Sequence, residues 1–118
     1  MKALFVEYPK CTTCKRAKKY LEEKGVEFTD RHIVEECPTV EEIRTWHKMS
    51  GLPLKKFFNT SGMLYREMHL KDRLPEMTEE EQYELLSSNG MLIKRPVLVM
   101  GEEVLLGFKE AAYEELLK

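Results

Sequence analysis

No stretch of this 118-residue chain is apolar for long enough to cross a bilayer, since a span needs ~18 residues. The opening Met1-Lys2-Ala3-Leu4 lacks a signal-peptide core, so a soluble, cytoplasmic protein with no membrane role is expected. Cysteine is scarce as well. Three residues, an odd number, cannot make a secreted disulfide framework, which points to a reducing compartment. Neither sign of charge dominates: 19 Lys and Arg face 21 Asp and Glu, for a net charge of -2. That balance argues against a nucleic-acid footprint over the surface, and no direct nucleic-acid binding is expected. Repeats, linkers and low-complexity segments are missing too. What remains is a chain 42% hydrophobic and 34% charged. At this length it buries roughly two-thirds of its unfolded surface, so it folds as one domain, residues 1–118, without metal or disulfide staples, and is expected to be a monomer.

Residues 3–7 (Ala-Leu-Phe-Val-Glu) read as a buried strand ended by Tyr8-Pro9. From about Thr12, Cys14, Ala17 and Leu21 fall on one helical face, and Gly25 stops the helix. Val26 and Phe28 begin a second strand that reaches Ile33-Val34, and strand, helix and strand in this order predict a right-handed βαβ unit. Thr39 and Glu42 form a capping-box pair ahead of Val40, Ile43 and Trp46, with Ser50-Gly51 as the stop. Between Leu52 and Gly90 no strand is convincing. Phe57-Phe58, Tyr65, Met68 and Leu70 suggest short helical pieces, and Thr78-Glu79-Glu80-Glu81 caps a helix carrying Tyr83 and Leu86. Residues 96–100, a Gly101-Glu102-Glu103 turn and residues 104–106 then form an antiparallel hairpin. A last helix from about Lys109 turns Ala112, Tyr113, Leu116 and Leu117 inward. The class is α/β, with βαβ and ββα halves and a helical insertion between them.

Chemistry concentrates at Cys11-Thr12-Thr13-Cys14, where the first strand gives way to the first helix. Unpaired N–H groups and the positive dipole end favour a thiolate at Cys11. Lys10, Lys15, Arg16, Lys18 and Lys19 surround it, with no acid between Pro9 and Leu21. These cations either stabilise a thiolate or anion or simply form a solvated face. Cys14, one turn on, is placed to attack a disulfide at Cys11. The alternatives are plain packing and zinc, which wants four ligands where a second Cys-x-x-Cys is absent and only His32 and Cys37 could help. Cys37, before Pro38, reads as an incidental loop cysteine rather than a third redox thiol. His32, His47 and His69 have no ligand spacing, and Trp46 and Phe57-Phe58 read as core. In Lys94-Arg95-Pro96, a proline opening a strand is tolerated because it forfeits no ladder N–H. Arg95 is either a surface charge or faces Cys11.

Taken together, Cys11-Thr12-Thr13-Cys14 after a strand, Phe57-Phe58-Asn59-Thr60-Ser61-Gly62, Gly90-Met91-Leu92-Ile93-Lys94-Arg95-Pro96 and Gly107-Phe108-Lys109-Glu110 resemble the arsenate reductase (ArsC)–Spx family over nearly the whole chain. The resemblance implies a thioredoxin-like fold and a cis Pro96 against the cysteine loop. It implies Cys11 as nucleophile and Arg95 as an oxyanion-binding arginine. It also marks departures. Glutaredoxin-dependent arsenate reductases carry two further arginines, at positions corresponding to Asn59 and near Gly107, and commonly lack the cysteine that Cys14 supplies. An oxyanion here would lean on Arg95, helix N–H groups, Asn59 and the lysines. The Spx branch uses Cys-x-x-Cys as a redox switch and binds the RNA polymerase α-subunit. It places a contact glycine near Gly51 and often has a basic C-terminal extension, whereas this sequence ends at Leu117-Lys118. The expected activity is thiol–disulfide oxidoreduction by Cys11 and Cys14, with no bound cofactor and with thioredoxin, glutaredoxin or glutathione as external reductant. The alternative is a redox-sensing regulator bound to RNA polymerase.

Overall fold

Strand β1 (Ala3–Glu7) divides the molecule, because its side chains alternate between two cores. In the computed structural model, which describes residues 2–118, Ala3 and Phe5 pack with Ala17, Leu21, Leu98 and Tyr113 on one face of the sheet. Val6 points the other way, into the larger core with Ile33, Ile43, Trp46, Phe57 and Phe58. Helix α1 (Thr12–Glu23) covers the first face with Cys14, Ala17 and Leu21 buried. Lys15, Arg16 and Lys19 stay exposed, as the 3.6-residue period requires. Gly25, at φ +71, then turns the chain into β2 (Phe28–His32).

Strands β1 and β2 run parallel, Ala3 opposite Phe28 through Glu7 opposite His32. Strand β3 (Val97–Met100) lies antiparallel on the other side of β1, and β4 (Glu103–Leu106) closes the edge. The order β2-β1-β3-β4 is that of a thioredoxin-like α/β fold. Helix α2 (Val40–Ser50) begins with the expected capping box, Thr39 and Glu42 satisfying each other's N–H groups at 3.1 and 2.9 Å. Arg31 reaches from β2 to hold Glu42 with two bonds, at 2.7 and 2.9 Å. The insertion continues through α3 (Met63–Glu67), α4 (Leu70–Arg73) and α5 (Glu79–Ser88), the last with a second capping box at Thr78 and Glu81. Helix α6 (Glu110–Leu116) returns beside α1 and buries Tyr113. Among the described residues no helix is long and apolar enough to cross a membrane.

Three details differ from the sequence expectation. Strand β2 stops at His32 rather than Val34, because the His32 Nδ1 accepts the N–H groups of Val34 and Glu35 at 3.1 Å and turns the chain. The hairpin loop is two residues, Gly101-Glu102, since Glu103 already pairs with Met100. Gly101 at φ +62 meets the demand of such a tight turn. The insertion also holds one β-bridge, Phe58 to Ile93. Asn59 N–H donates to the Leu92 carbonyl at 2.7 Å, and Lys94 N–H to the Phe57 carbonyl at 2.7 Å. That bridge is what carries Asn59 to the mouth of β3.

Candidate functional site

After β1 the chain breaks at Tyr8-Pro9-Lys10, and the Cys11 N–H donates to the Tyr8 carbonyl at 2.9 Å. Cys11 caps α1 in extended geometry, φ -84 and ψ 123, and its own carbonyl takes the Lys15 N–H at 3.0 Å. Its sulfur therefore sits over the open first turn, partly exposed, while Cys14 lies fully buried one turn below. Both thiols are free. Burial pushes the Cys11 thiol up, but the Cys14 N–H and thiol, the Arg95 charge and the Thr13 N–H outweigh it, so Cys11 titrates below an ordinary cysteine. Burial acts on Cys14 with less compensation: it is pushed up to about 12, helped by the charges of Cys11 and Glu7. Cys11 thus gives up its proton more readily than an ordinary cysteine, and Cys14 less readily.

Arg95 faces this pair. Its guanidinium carbon lies 5.3 Å from the centre of the Tyr8 ring, a cation–π contact. Its Nε and Nη1 are buried without any hydrogen-bond partner. Pro96 follows across a cis peptide and is buried, its carbonyl accepting the Gly107 N–H at 2.8 Å. Cys11, Thr13, Asn59 and Arg95 line one open cleft of about 410 Å³, with Lys94 and Lys109 as further cations and, among the described residues, no acid. Gly107 lies in the same wall at φ +76, and a Cβ there would meet the Lys94 Cε at 3.2 Å.

Sequence reasoning thus placed Cys11, Cys14, Arg95, Pro96 and Asn59 in one neighbourhood, but its cations need correction. Lys10, Lys15 and Arg16 are exposed and do not line the cleft. Arg16 instead sits 5.4 Å from the centre of the Phe108 ring. The cleft cations are Lys94 and Lys109, both within quoted motifs but unassigned from spacing. Glu7 went unnoticed as well. Its signal was legible: a carboxylate at the inward phase of Ala3, Phe5 and Glu7. Cys37 is half-buried, its thiol 3.4 Å from the Ser87 carbonyl, and burial pushes it up. His47 bonds the Tyr83 hydroxyl at 2.7 Å, His69 is exposed, and Gly51 is the exposed left-handed cap of α2.

The model of the ArsC family matches residues 6–116. The uncharacterized protein YusI of Bacillus subtilis (strain 168) is 56% identical over 115 residues, 98% of each chain. The regulatory protein MgsR of the same organism is 32% identical over 114 residues, 97% of this chain and 86% of that one. Among solved structures, an ArsC family related protein from Bacteroides fragilis superposes with a TM-score of 0.94 at 55% identity, covering 100% of this chain and 98% of that one.

Proposed function

This chain belongs to the ArsC family, and from that premise we propose that it is a thiol–disulfide oxidoreductase of the arsenate reductase-like type. Cys11 is the nucleophile and Cys14 the resolving thiol. The observation that carries this reading is the opposed pair itself: Cys11 held low, Cys14 pushed up to about 12, one helical turn apart, beside an arginine with two unpartnered buried N–H donors. The Cys11 thiolate attacks a sulfur of a target disulfide and releases one target sulfur as a thiolate. Cys14 then attacks Cys11, forms Cys11–Cys14 and frees the second target thiolate. An external thiol, from thioredoxin, glutaredoxin or glutathione, restores the dithiol in the reducing cytoplasm. Arg95, Lys94 and Lys109 favour a target with an anionic group beside its reactive atom.

The test is mass analysis of the reduced protein after exposure to a small disulfide. Intramolecular Cys11–Cys14 is expected, with Cys37 still free, and Cys14→Ala accumulates the mixed disulfide at Cys11. Undiminished reactivity in Cys11→Ala would refute the assignment. A second reading, a redox switch controlling binding to the RNA polymerase α-subunit, is favoured by the 32% identity to a regulatory protein. It requires capture of that subunit from purified components in one oxidation state of Cys11 and Cys14 and not the other.

A further inference from the structure

Strand β4 is an edge of the sheet, with β3 on one side and, among the described residues, no strand on the other. Its register fixes which backbone groups that edge offers. Gly107 N–H donates to the Pro96 carbonyl at 2.8 Å, and Leu105 lies opposite Leu98 two places back in the same alternation. In an antiparallel pair every second residue turns its N–H and C=O to the partner strand. Leu105 therefore serves β3, while Val104 and Leu106 present theirs to the open side. A groove of about 560 Å³ follows that side. Val104, Leu105 and Leu106 all line it, although successive side chains of a strand point to opposite faces, so the groove runs along the edge rather than over a face. The 3-10 turn Leu54–Phe57 adds Lys55 and Lys56 to its walls, and Leu52, 38% exposed, stands just before them. Lys94 and Lys109 line it too. All four lysines are exposed, and among the described residues none of them forms an ion pair. No acid is among the described residues of its walls.

Resting on the reading of Cys11 as nucleophile, we propose that this groove docks an acidic, extended segment of a protein substrate, which adds to β4 as a further strand beside the substrate's reactive sulfur. The open N–H and C=O groups of Val104 and Leu106 supply the main-chain bonds of strand addition, and the apolar walls receive alternate side chains. The four lysines complement Asp or Glu on the segment and steer its approach. Lys94, Leu106 and Lys109 line both this groove and the Cys11 cleft, so a segment seated on β4 runs on toward Cys11. A nucleic acid would also answer the lysines, but it has no backbone complement for a strand edge. The bond exchange at Cys11 is the one already given, and the groove decides which disulfides are brought to it. Lys55 and Lys56 line the groove and not the cleft, which makes them specificity residues rather than part of the reacting centre.

The experiment has a binding arm and a kinetic arm. The first uses the full chain with Cys11→Ser and a labelled peptide of alternating Glu and Val, with serine in place of its cysteine, followed by fluorescence anisotropy. This peptide should bind on the order of tenfold more tightly than its Gln-for-Glu counterpart at low salt, and added salt should close the gap. N-methylation of alternate peptide nitrogens should weaken binding in one phase and not in the other. Joint Lys55→Glu and Lys56→Glu, at two exposed positions, should remove the preference for Glu. The kinetic arm uses the parent protein and the cysteine-containing peptides carrying thionitrobenzoate, whose coloured thiolate reports attack by Cys11. The same preference and the same loss are expected, while neutral hydroxyethyl disulfide reacts alike with parent and double variant. Equal binding of Glu and Gln peptides, indifference to N-methylation in both phases, or a dimer of the chain that excludes the peptide overturns the proposal. Displacement of the Glu peptide by a single-stranded oligonucleotide at lower concentration than by unlabelled peptide overturns it as well. Undiminished release of coloured thiolate by Cys11→Ala, with the binding arm intact, instead overturns the nucleophile reading on which it rests.

Discussion

Glu7→Gln should make the reduced protein more stable at neutral and alkaline pH, and the size of the gain follows from its burial. A free glutamate ionises near 4.5, whereas in the fold this one is held neutral until about 7, chiefly by burial and then by Asp30. Each tenfold change in proton affinity is worth about 1.4 kcal/mol, so ionising Glu7 in place costs the fold up to about 3 kcal/mol. The sign follows from proton counting. Between pH 4.5 and about 7 the folded protein binds more protons than the unfolded one, so stability falls as pH rises. Below 4.5 the penalty is absent, and above about 7 it is complete. Glutamine copies the neutral form without the charge. Urea unfolding of both proteins across this range should give curves that coincide at the acid end and separate by up to about 3 kcal/mol at pH 8. Parallel curves, or a variant less stable than the parent at pH 8, would refute the reasoning.

The remaining expectations concern the cleft and one backbone contact. Iodoacetamide alkylation of Cys14→Ala, followed against pH, should place Cys11 below an ordinary thiol, because Arg95 and the helix N–H groups persist without Cys14; an ordinary titration removes the nucleophile assignment. Arg95→Ala should raise the Cys11 pKa and slow reaction with an anionic disulfide more than with a neutral one, while thermal unfolding stays nearly unchanged. Equal slowing of both would contradict an anion-binding role. Arsenate turnover with glutaredoxin or thioredoxin should be weak, since Asn59 and Gly107 stand in the cleft without guanidinium groups. Each lost charge-assisted bond costs about 1.5–3 kcal/mol, roughly ten- to over a hundredfold, and brisk turnover would show that Lys94 and Lys109 suffice. Gly90→Ala should destabilise the fold by about 1–3 kcal/mol or more in urea titration, because its Cβ would lie 2.1 Å from the Ile33 carbonyl oxygen.

What was legible in advance divides along a physical line. Short-range rules read the capping boxes at Thr39 and Thr78, the inward face of α1 and the stop at Gly25, because each depends on residues within a turn or two of one another. Cys11 and Cys14 belong to the same class. Their opposite titration follows from where a helix begins and which of its faces is covered. The end of β2 was missed because a side chain, His32, competes for N–H groups that periodicity assigns to the strand. The charges around Cys11 stayed open between two readings for a deeper reason. Lys15 and Arg16 are its neighbours along the chain, yet α1 turns both of them to solvent. Lys94 and Lys109 are more than eighty residues away and reach the cleft only because β3 pairs with β1 and α6 packs back beside α1. Glu7 lies between these cases. Its inward phase can be read from five residues, but Asp30 and Lys18, which set its proton affinity, arrive from the neighbouring strand and the covering helix. A local pattern can therefore locate the reactive thiol, whereas the groups that tune its partner are fixed only when the sheet closes.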